Sequence, residues 1–467
     1  LGATAASHRD DVAAYALGTL YTVALPPAVR SRHGAYFTPP PVVDRLLDLA
    51  EEAGVDWATA RVLDPAAGGG AFVVPVARRM ITTLRTAGLP TRRILRSVNR
   101  RLRGLELDPF SAWLTQVFLD VLALDLASDE AGEGSPARFR PLVRCCDALD
   151  APDAWDGAAD LVIGNPPYGK VPLTRLLRAR YGRSLYGHAN LYGLFFDLAM
   201  RLVRPGGTVA FVTPTSFLGG QYFTRLRALM AAEAPPIALD LIADRTGVFE
   251  DVLQETALVT LGREREAGSV RLHFARVSDG DGACELTDAG TFALPDDAGA
   301  PWLLPRRVDD VALLHRLADM PHRLSSYGYE VSTGPLVWNR HRAQLTEDAS
   351  AARGRPLIWA EAILPTGEFR FAATRRRHVP YVRVDDGQGH LVTREPCVLV
   401  QRTTAKEQHR RLIAAVLPGA FVREHGGVVV ENHVNIVRRR ADLACDGGCV
   451  SLDALAFLLN SAAVDRV

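Results

Sequence analysis

The chain has 467 residues, 54 Lys+Arg against 53 Asp+Glu, and 48% apolar residues, enough for two to four domains at roughly 100–200 residues each. A charged fraction of 23% excludes a disordered or collagen-like chain. No run of about 18 uninterrupted apolar residues occurs, so no membrane span is expected. Six cysteines at irregular positions make no disulfide framework. No basic segment leads into an apolar one at Leu1-Gly2-Ala3, so the cytoplasm is the expected compartment. The opening residue is not Met, and a partial chain is expected.

Apolar β-type runs and helical patterns then alternate, as in parallel α/β sheets. Arg61 to Asp64 reads as a strand ending at a Gly-rich turn, and Phe72 to Leu84 as a helix. A further helical segment spans Arg92 to Val98. Leu102 to Glu106 is the next strand, followed by a helix from Phe110 to about Leu124. Leu142 to Cys145 and Leu161 to Gly164 are strands. Asn190 to Val203 is a helix stopped by Pro205-Gly206-Gly207, and Thr208 to Thr213 and Ile237 to Ile242 are strands. Glu255 to Leu261 and Val270 to Phe274 read as a closing antiparallel hairpin. The composition then shifts to Asp, Gly, Ala and Pro between Ser278 and Pro305, the mark of a linker. Beyond it the pattern is irregular, with strands at Cys397 to Val400 and Gly427 to Val430 and helices at Lys406 to Val416 and Leu452 to Leu459.

The sharpest signal is Asn165-Pro166-Pro167-Tyr168, delivered to the carboxyl end of a strand, where open α/β sheets bind ligands. Two prolines fix the backbone and remove two N–H donors, leaving the Pro166 carbonyl an unmatched acceptor. Asn165 adds an amide oxygen beside it. Two acceptors then aim at one amino group, with Tyr168 supplying an aromatic face. Upstream, Asp64-Pro65-Ala66-Ala67-Gly68-Gly69-Gly70 joins a strand to a helix through small residues, which lets backbone approach a nucleotide-type cofactor. Glu106 ends the next strand, where a carboxylate accepts ribose hydroxyls. It follows Gly70 by 36 positions, beyond the usual ~20, and the Arg92 segment accounts for the excess. Asp147 ends a third strand, where a carboxylate meets an adenine amino group. Cys445 and Cys449 flank a Gly turn and, with no second Cys/His pair nearby, read as free thiols, so no metal is expected.

These motifs resemble the gamma-class, TaqI-like, S-adenosylmethionine-dependent N6-adenine DNA methyltransferases of restriction-modification systems. The resemblance is strong over residues 30–275. Gly34-Ala35-Tyr36-Phe37-Thr38-Pro39 matches the family's N-terminal cofactor motif, and Asp64 to Gly70 its loop, with Ala67 and Gly69 where the family has Cys and Ser. Asn190 to Phe196 and Phe211 to Leu218 match later motifs.

The resemblance implies a doubly wound, mostly parallel sheet of Rossmann-like methyltransferase fold, plus a C-terminal mixed α+β target-recognition domain. The domains implied are a helical segment at 1–33, a catalytic domain at 34–277, a linker at 278–324, and a recognition domain at 325–467 that stops early. The implied cofactor is S-adenosyl-L-methionine, held by Tyr36, Phe37, Thr38, Pro39, Asp64, Ala66, Gly68, Gly70, Glu106, Leu107, Asp147, Ala148, Asn165 and Pro167. The catalytic residues that the resemblance implies are Asn165, Pro166, Pro167 and Tyr168, with Tyr168 and Phe249 expected to stack on the flipped base. The partner it implies is double-stranded DNA, with a monomer expected on it and a restriction nuclease or specificity subunit as a further candidate. Two other readings share these residues: methyl transfer to an amino group of RNA or of protein glutamine, and a catalytically silent DNA-specificity subunit.

The charge distribution fits a phosphate-facing C-terminal module. Residues 1–300 carry 31 Lys+Arg against 35 Asp+Glu, net −4, whereas residues 301–440 carry 22 against 14, net +8. Within it, Gln401 to Glu407 and Glu431 to Asn435 resemble segments of recognition domains, and Arg375-Arg376-Arg377 reads as a solvated loop on the phosphate side.

Overall fold

The computed structural model describes residues 10–24, 38–128, 138–150, 157–188, 190–242, 255–266, 268–277, 284–348, 350, 353–403, 410–440, 442 and 447–466. Two compact units emerge, Leu1–Val308 and Asp309–Val467.

The first unit is an α/β sheet of nine strands in the order β3-β2-β1-β4-β5-β7-β6-β8-β9. These are β1 (Val62–Asp64), β2 (Leu102–Glu106), β3 (Val143–Cys145), β4 (Ala159–Gly164), β5 (Val203–Pro214), β6 (Pro236–Ile242), β7 (Thr256–Gly262), β8 (Ser269–Val277) and β9 (Cys284–Ala293). From β3 to β5 every pairing is parallel. The β1 strand is buried throughout, as a parallel strand covered on both faces must be. The chain order reverses between β1 and β4, and this is where the carboxyl ends of an open sheet leave a crevice.

Two expectations are corrected. Thr256–Gly262 and Ser269–Val277 do not pair with each other: β7 inserts antiparallel between β5 and β6, while β8 runs parallel to β6. The closing antiparallel hairpin is instead β8 with β9. The second correction follows, because β9 lies inside the stretch read as a linker. An edge strand with one solvated face has little apolar content, and here Ala289 and Phe292 are its buried apolar residues.

Helices cover both faces. Helix α1 (Asp10–Ala24) precedes α2 (Pro40–Glu52), whose first residues are prolines that need no N–H partner in the first turn. After β1 come α3 (Val73–Thr86) and α4 (Thr91–Arg101), the latter lengthening the path from the Gly-rich loop to Glu106. The helix Pro109–Ala127 has a mean hydropathy of 1.4 and is the one described helix long and apolar enough to cross a membrane. It buries Leu114, Phe118, Leu119, Leu122 and Leu126 in the main core beside the sheet.

Near the end of the unit a cation is buried among backbone carbonyls. Arg227, 1% exposed, donates to the carbonyls of Phe217 at 2.8 Å, Gly220 at 2.9 Å, Gly299 at 2.7 Å and Ala300 at 2.8 Å. It ties residues 299–300 to the body of the unit. Arg227→Met keeps the apolar stem but strands four carbonyls, and is expected to cost ~3 kcal/mol. Urea unfolding reads this directly, and a midpoint at the wild-type value would reject it.

The second unit holds two sheets. One is antiparallel, in the order β10-β18-β15-β16, formed by Tyr329–Thr333, Val434–Arg439, Cys397–Gln401 and Ala414–Leu417. The other is mixed, in the order β11-β13-β12-β17-β14, formed by Leu345–Thr346, Tyr381–Arg383, Gly354–Ile358, Val428–Val430 and Val392–Thr393. The helix expected over Lys406 to Val416 is corrected where it is described: Ala414–Leu417 is a strand paired with Cys397–Val400, long-range pairing overriding alanine's helical preference.

Candidate active site at the carboxyl edge of the sheet

Three neighbouring strand ends bring the main candidates together. Asp64 pairs in register with Gly104 on β2, and Leu63 with Val162 on β4. The Gly-rich loop, Glu106 and Asn165 thus emerge side by side.

Asp64 is 1% exposed. Its Oδ1 accepts from Ala66 N at 2.9 Å, while Oδ2 is buried with no hydrogen-bond partner among the described residues. Burial pushes its carboxyl up to about 8, against the Ala66 N–H and with the charge of Glu106 adding. A Cβ at Gly164 would stand 2.6 Å from Asp64 Oδ1, so only glycine lets β4 pass this carboxylate.

The loop after Asp64 is pinned on both sides. Gly68 N donates to Glu106 Oε2 at 2.7 Å, and Gly68 O accepts from Thr115 Oγ1 at 2.9 Å. Gly70 has φ +93°, and a Cβ there would meet Val74 at 2.9 Å. Ala66 is half-buried beside it. Glu106 Oε1 accepts from Asp108 N at 2.8 Å, and burial raises its carboxyl above the usual range.

Asn165 is held at both ends of its amide. Nδ2 donates to Thr38 Oγ1 at 3.0 Å, and Oδ1 accepts from Tyr168 O–H at 2.6 Å. Pro166 is buried and Pro167 half-buried. The Tyr168 ring meets Tyr192 edge-on at 6.2 Å, and burial raises its hydroxyl pKa. The Thr38–Asn165 bond joins residues 127 positions apart, and no local signal in the sequence could have found it. Thr38, which the resemblance assigns to the cofactor, accepts from the Asn165 amide, and Pro39 stands at the N-cap of α2.

Asp147 and Ala148 follow β3, whose extension is tied to β2 by Cys146 N on Glu106 O at 2.8 Å. Asp147 is exposed with Oδ1 accepting from Leu149 N at 2.9 Å, and Ala148 is buried. Leu107 stands 56% exposed. Tyr36, Phe37 and Phe249 lie outside the described residues. An open pocket is bounded by Tyr15, Thr38, Pro40, Val43, Gly69 and Gly70 among others. A contact not legible in the sequence comes from α1, where the Tyr21 ring lies 4.4 Å from Phe110 and its hydroxyl donates to Asp108 Oδ2 at 3.2 Å.

Residues 129–249 match the family described as Eco57I restriction-modification methylase. The chain is 28% identical over 368 residues to the Type II methyltransferase M.PaeR7I of Pseudomonas aeruginosa, covering 72% of this chain and 61% of that protein. It is 26% identical over 326 residues to M.XhoI of Xanthomonas vasicola, covering 66% and 59%. The similarity is to restriction-modification methyltransferases. The chain spans about three-fifths of the length of these two relatives. Among solved structures, the Type IIL restriction-modification enzyme MmeI in complex with DNA has a TM-score of 0.55 at 12% identity, covering 90% of this chain and 64% of that one. The DNA-bound Type ISP enzyme LlaBIII has a TM-score of 0.52 at 13% identity, covering 92% and 36%. The first unit has the Rossmann-like methyltransferase fold.

Proposed function

We propose that this chain is a site-specific DNA methyltransferase, moving a methyl group from S-adenosyl-L-methionine to N6 of an adenine flipped out of duplex DNA, as the modification activity of a restriction-modification or phage-defence system. The observation that carries this is the Asn165 amide, locked beside a buried, half-satisfied carboxylate and a pinned Gly-rich loop. The residues fit the cofactor: the orphaned Asp64 Oδ2 suits a cationic group, and Glu106, with Leu107 and Ala148 near it, suits a ribose and an adenine. When bound, the cofactor supplies an activated methyl on a sulfonium.

The chain's own residues act on the nucleophile. Adenine N6 is a weak nucleophile because its lone pair is delocalised into the ring. The Asn165 Oδ1 and the Pro166 carbonyl accept from N6–H, favour a pyramidal nitrogen, and stabilise the positive charge that develops on it. Tyr168 O–H and Thr38 Oγ1 occupy opposite ends of the Asn165 amide, so its oxygen keeps one orientation and a second lone pair for the base. An amide is no base at neutral pH, and the proton leaves N6 after transfer. Tyr168 and Phe249 hold the extruded base by stacking, worth on the order of 1–3 kcal/mol per aromatic face.

The test is incubation of unmodified genomic DNA with the protein and labelled cofactor, followed by modified-base sequencing. Methyl-N6-adenine at one recurring motif is the expected result. Label in RNA or protein with none in DNA would transfer the reading to those substrates, and no label anywhere would favour the silent specificity subunit. For Phe249→Ala, 2-aminopurine at the target position should lose its flipping-dependent fluorescence, and an unaltered signal would remove Phe249 from the base pocket.

A further inference from the structure

In the second unit β12 and β17 run parallel, with Leu357 opposite Val429 and Ile358 opposite Val430. Past each strand a glutamate grips a histidine, Glu431 fully buried and Glu361 half-buried. Past β17, Glu431 is fully buried and both carboxylate oxygens lie 2.9 Å from His433 Nδ1. Past β12, Glu361 Oε2 lies 2.8 Å from His378 Nδ1, and Oε1 accepts from Thr374 N at 2.6 Å and Arg375 N at 3.2 Å. The two ends are adjacent, because Glu431 N donates to Ile358 O at 3.0 Å.

The loop 374–378 is therefore built rather than merely exposed. The His378 ring stacks at 3.8 Å and 9° on Trp359, which is 1% exposed. Trp359 Nε1 donates to Val379 O at 2.8 Å. Arg377 holds φ +80°, a conformation that costs a non-glycine residue energy and persists only where its surroundings impose it. The second basic contribution is Arg402, whose N donates to His433 O at 2.9 Å and whose Nη1 donates to Asn432 O at 3.1 Å. This brings Gln401–Arg402 and Glu431–His433, two stretches singled out in the sequence, to one place.

Several cations elsewhere in the unit are already neutralised. Arg438 and Arg440 are both paired with Glu330, Arg440 also with Asp442, and Arg353 with Asp386. Arg376, Arg377 and Arg402 are exposed and form no ion pair among the described residues. We propose that this end of the unit is the surface on which the duplex backbone lies, with Arg376, Arg377 and Arg402 each meeting a DNA phosphate and Glu361 acting as the positioning residue of the loop. This assignment rests on the DNA reading above. A phosphate takes a guanidinium bidentately, and three cations with no internal carboxylate bring the counterion release that phosphate binding needs.

The full chain carrying Arg376→Ala, Arg377→Gly and Arg402→Ala tests this, since glycine removes the charge at 377 while accepting its φ. Binding to labelled duplex DNA is measured between 50 mM and 300 mM salt, on a methylatable duplex and on an unrelated one. The expected result is binding roughly tenfold or more weaker on both, and a slope of log K against log [salt] lower by about three. Arg438→Ala with Arg440→Ala, whose cations are already neutralised, should change the slope by less than about one. Unchanged affinity and slope in the triple variant, with intact circular dichroism, overturns the assignment. So does a loss confined to the methylatable duplex, which would mean base reading. If the wild type binds no duplex at 50 mM salt, the DNA reading itself falls; if the wild type binds and the triple variant binds equally, only this surface does.

Discussion

Asn165→Ala is expected to lower methyl transfer by ~10²–10³ or more while leaving cofactor affinity within about twofold. The argument is geometric. The side chain contributes an acceptor whose direction is set by two bonds, Thr38 on the nitrogen and Tyr168 on the oxygen. Truncation removes the acceptor and leaves Asp64 and Glu106 with their own bonds to Ala66, Gly68 and Asp108. Tritiated-methyl incorporation, alongside calorimetric cofactor binding, separates the two effects. Tyr168→Phe is the informative companion. It keeps the ring but deletes the O–H that orients Oδ1, and an effect of roughly fivefold on kcat fits one net hydrogen bond of about 1 kcal/mol. Wild-type turnover in the Asn165 variant would remove the amide from the chemistry altogether.

The parts of this site that were legible in the sequence are those whose cause is local. A buried strand followed by small residues can only turn at its end, so Asp64 to Gly70 and Asn165 to Tyr168 announce their positions at strand termini. The parts that were not legible depend on which strands become neighbours. Nothing near Thr256–Gly262 says that it enters between β5 and β6, because both antiparallel neighbours demand the same apolar composition. Cys284–Ala293 is polar enough to read as a linker because only one of its edges is paired and one face is solvated. The Thr38–Asn165 bond and the two glutamate–histidine grips required coordinates, since each side chain alone is an ordinary polar residue. Net charge over 301–440 pointed to a basic module, but which arginines are available depends on where Glu330 and Asp442 stand.

Asp64→Asn is expected to stabilise the protein against unfolding increasingly with pH and to weaken its grip on the cofactor. In the folded chain the Asp64 carboxyl is raised to about 8, whereas an unfolded aspartate ionises near ~3.9. Its contribution to stability is therefore complete below about pH 4 and is lost as pH rises through about 8, because the unfolded chain releases the proton first. Asparagine does not ionise, so the variant's advantage should grow by about 1.4 kcal/mol per pH unit at most between those limits and then level off. Melting curves of both proteins at pH 5, 7 and 9 test the sign, and an advantage that shrinks with pH would show that Asp64 is ionised and satisfied in the fold. A cationic group brought against Oδ2 would pull the carboxyl back to its ionised form and expel a proton, so part of the instability is returned as binding energy. Calorimetry of cofactor binding in two buffers of different ionisation enthalpy should report more proton release from the wild type than from Asp64→Asn at pH 7. Equal release from both would place the cationic group elsewhere and leave the Asp64 carboxyl a purely structural burden.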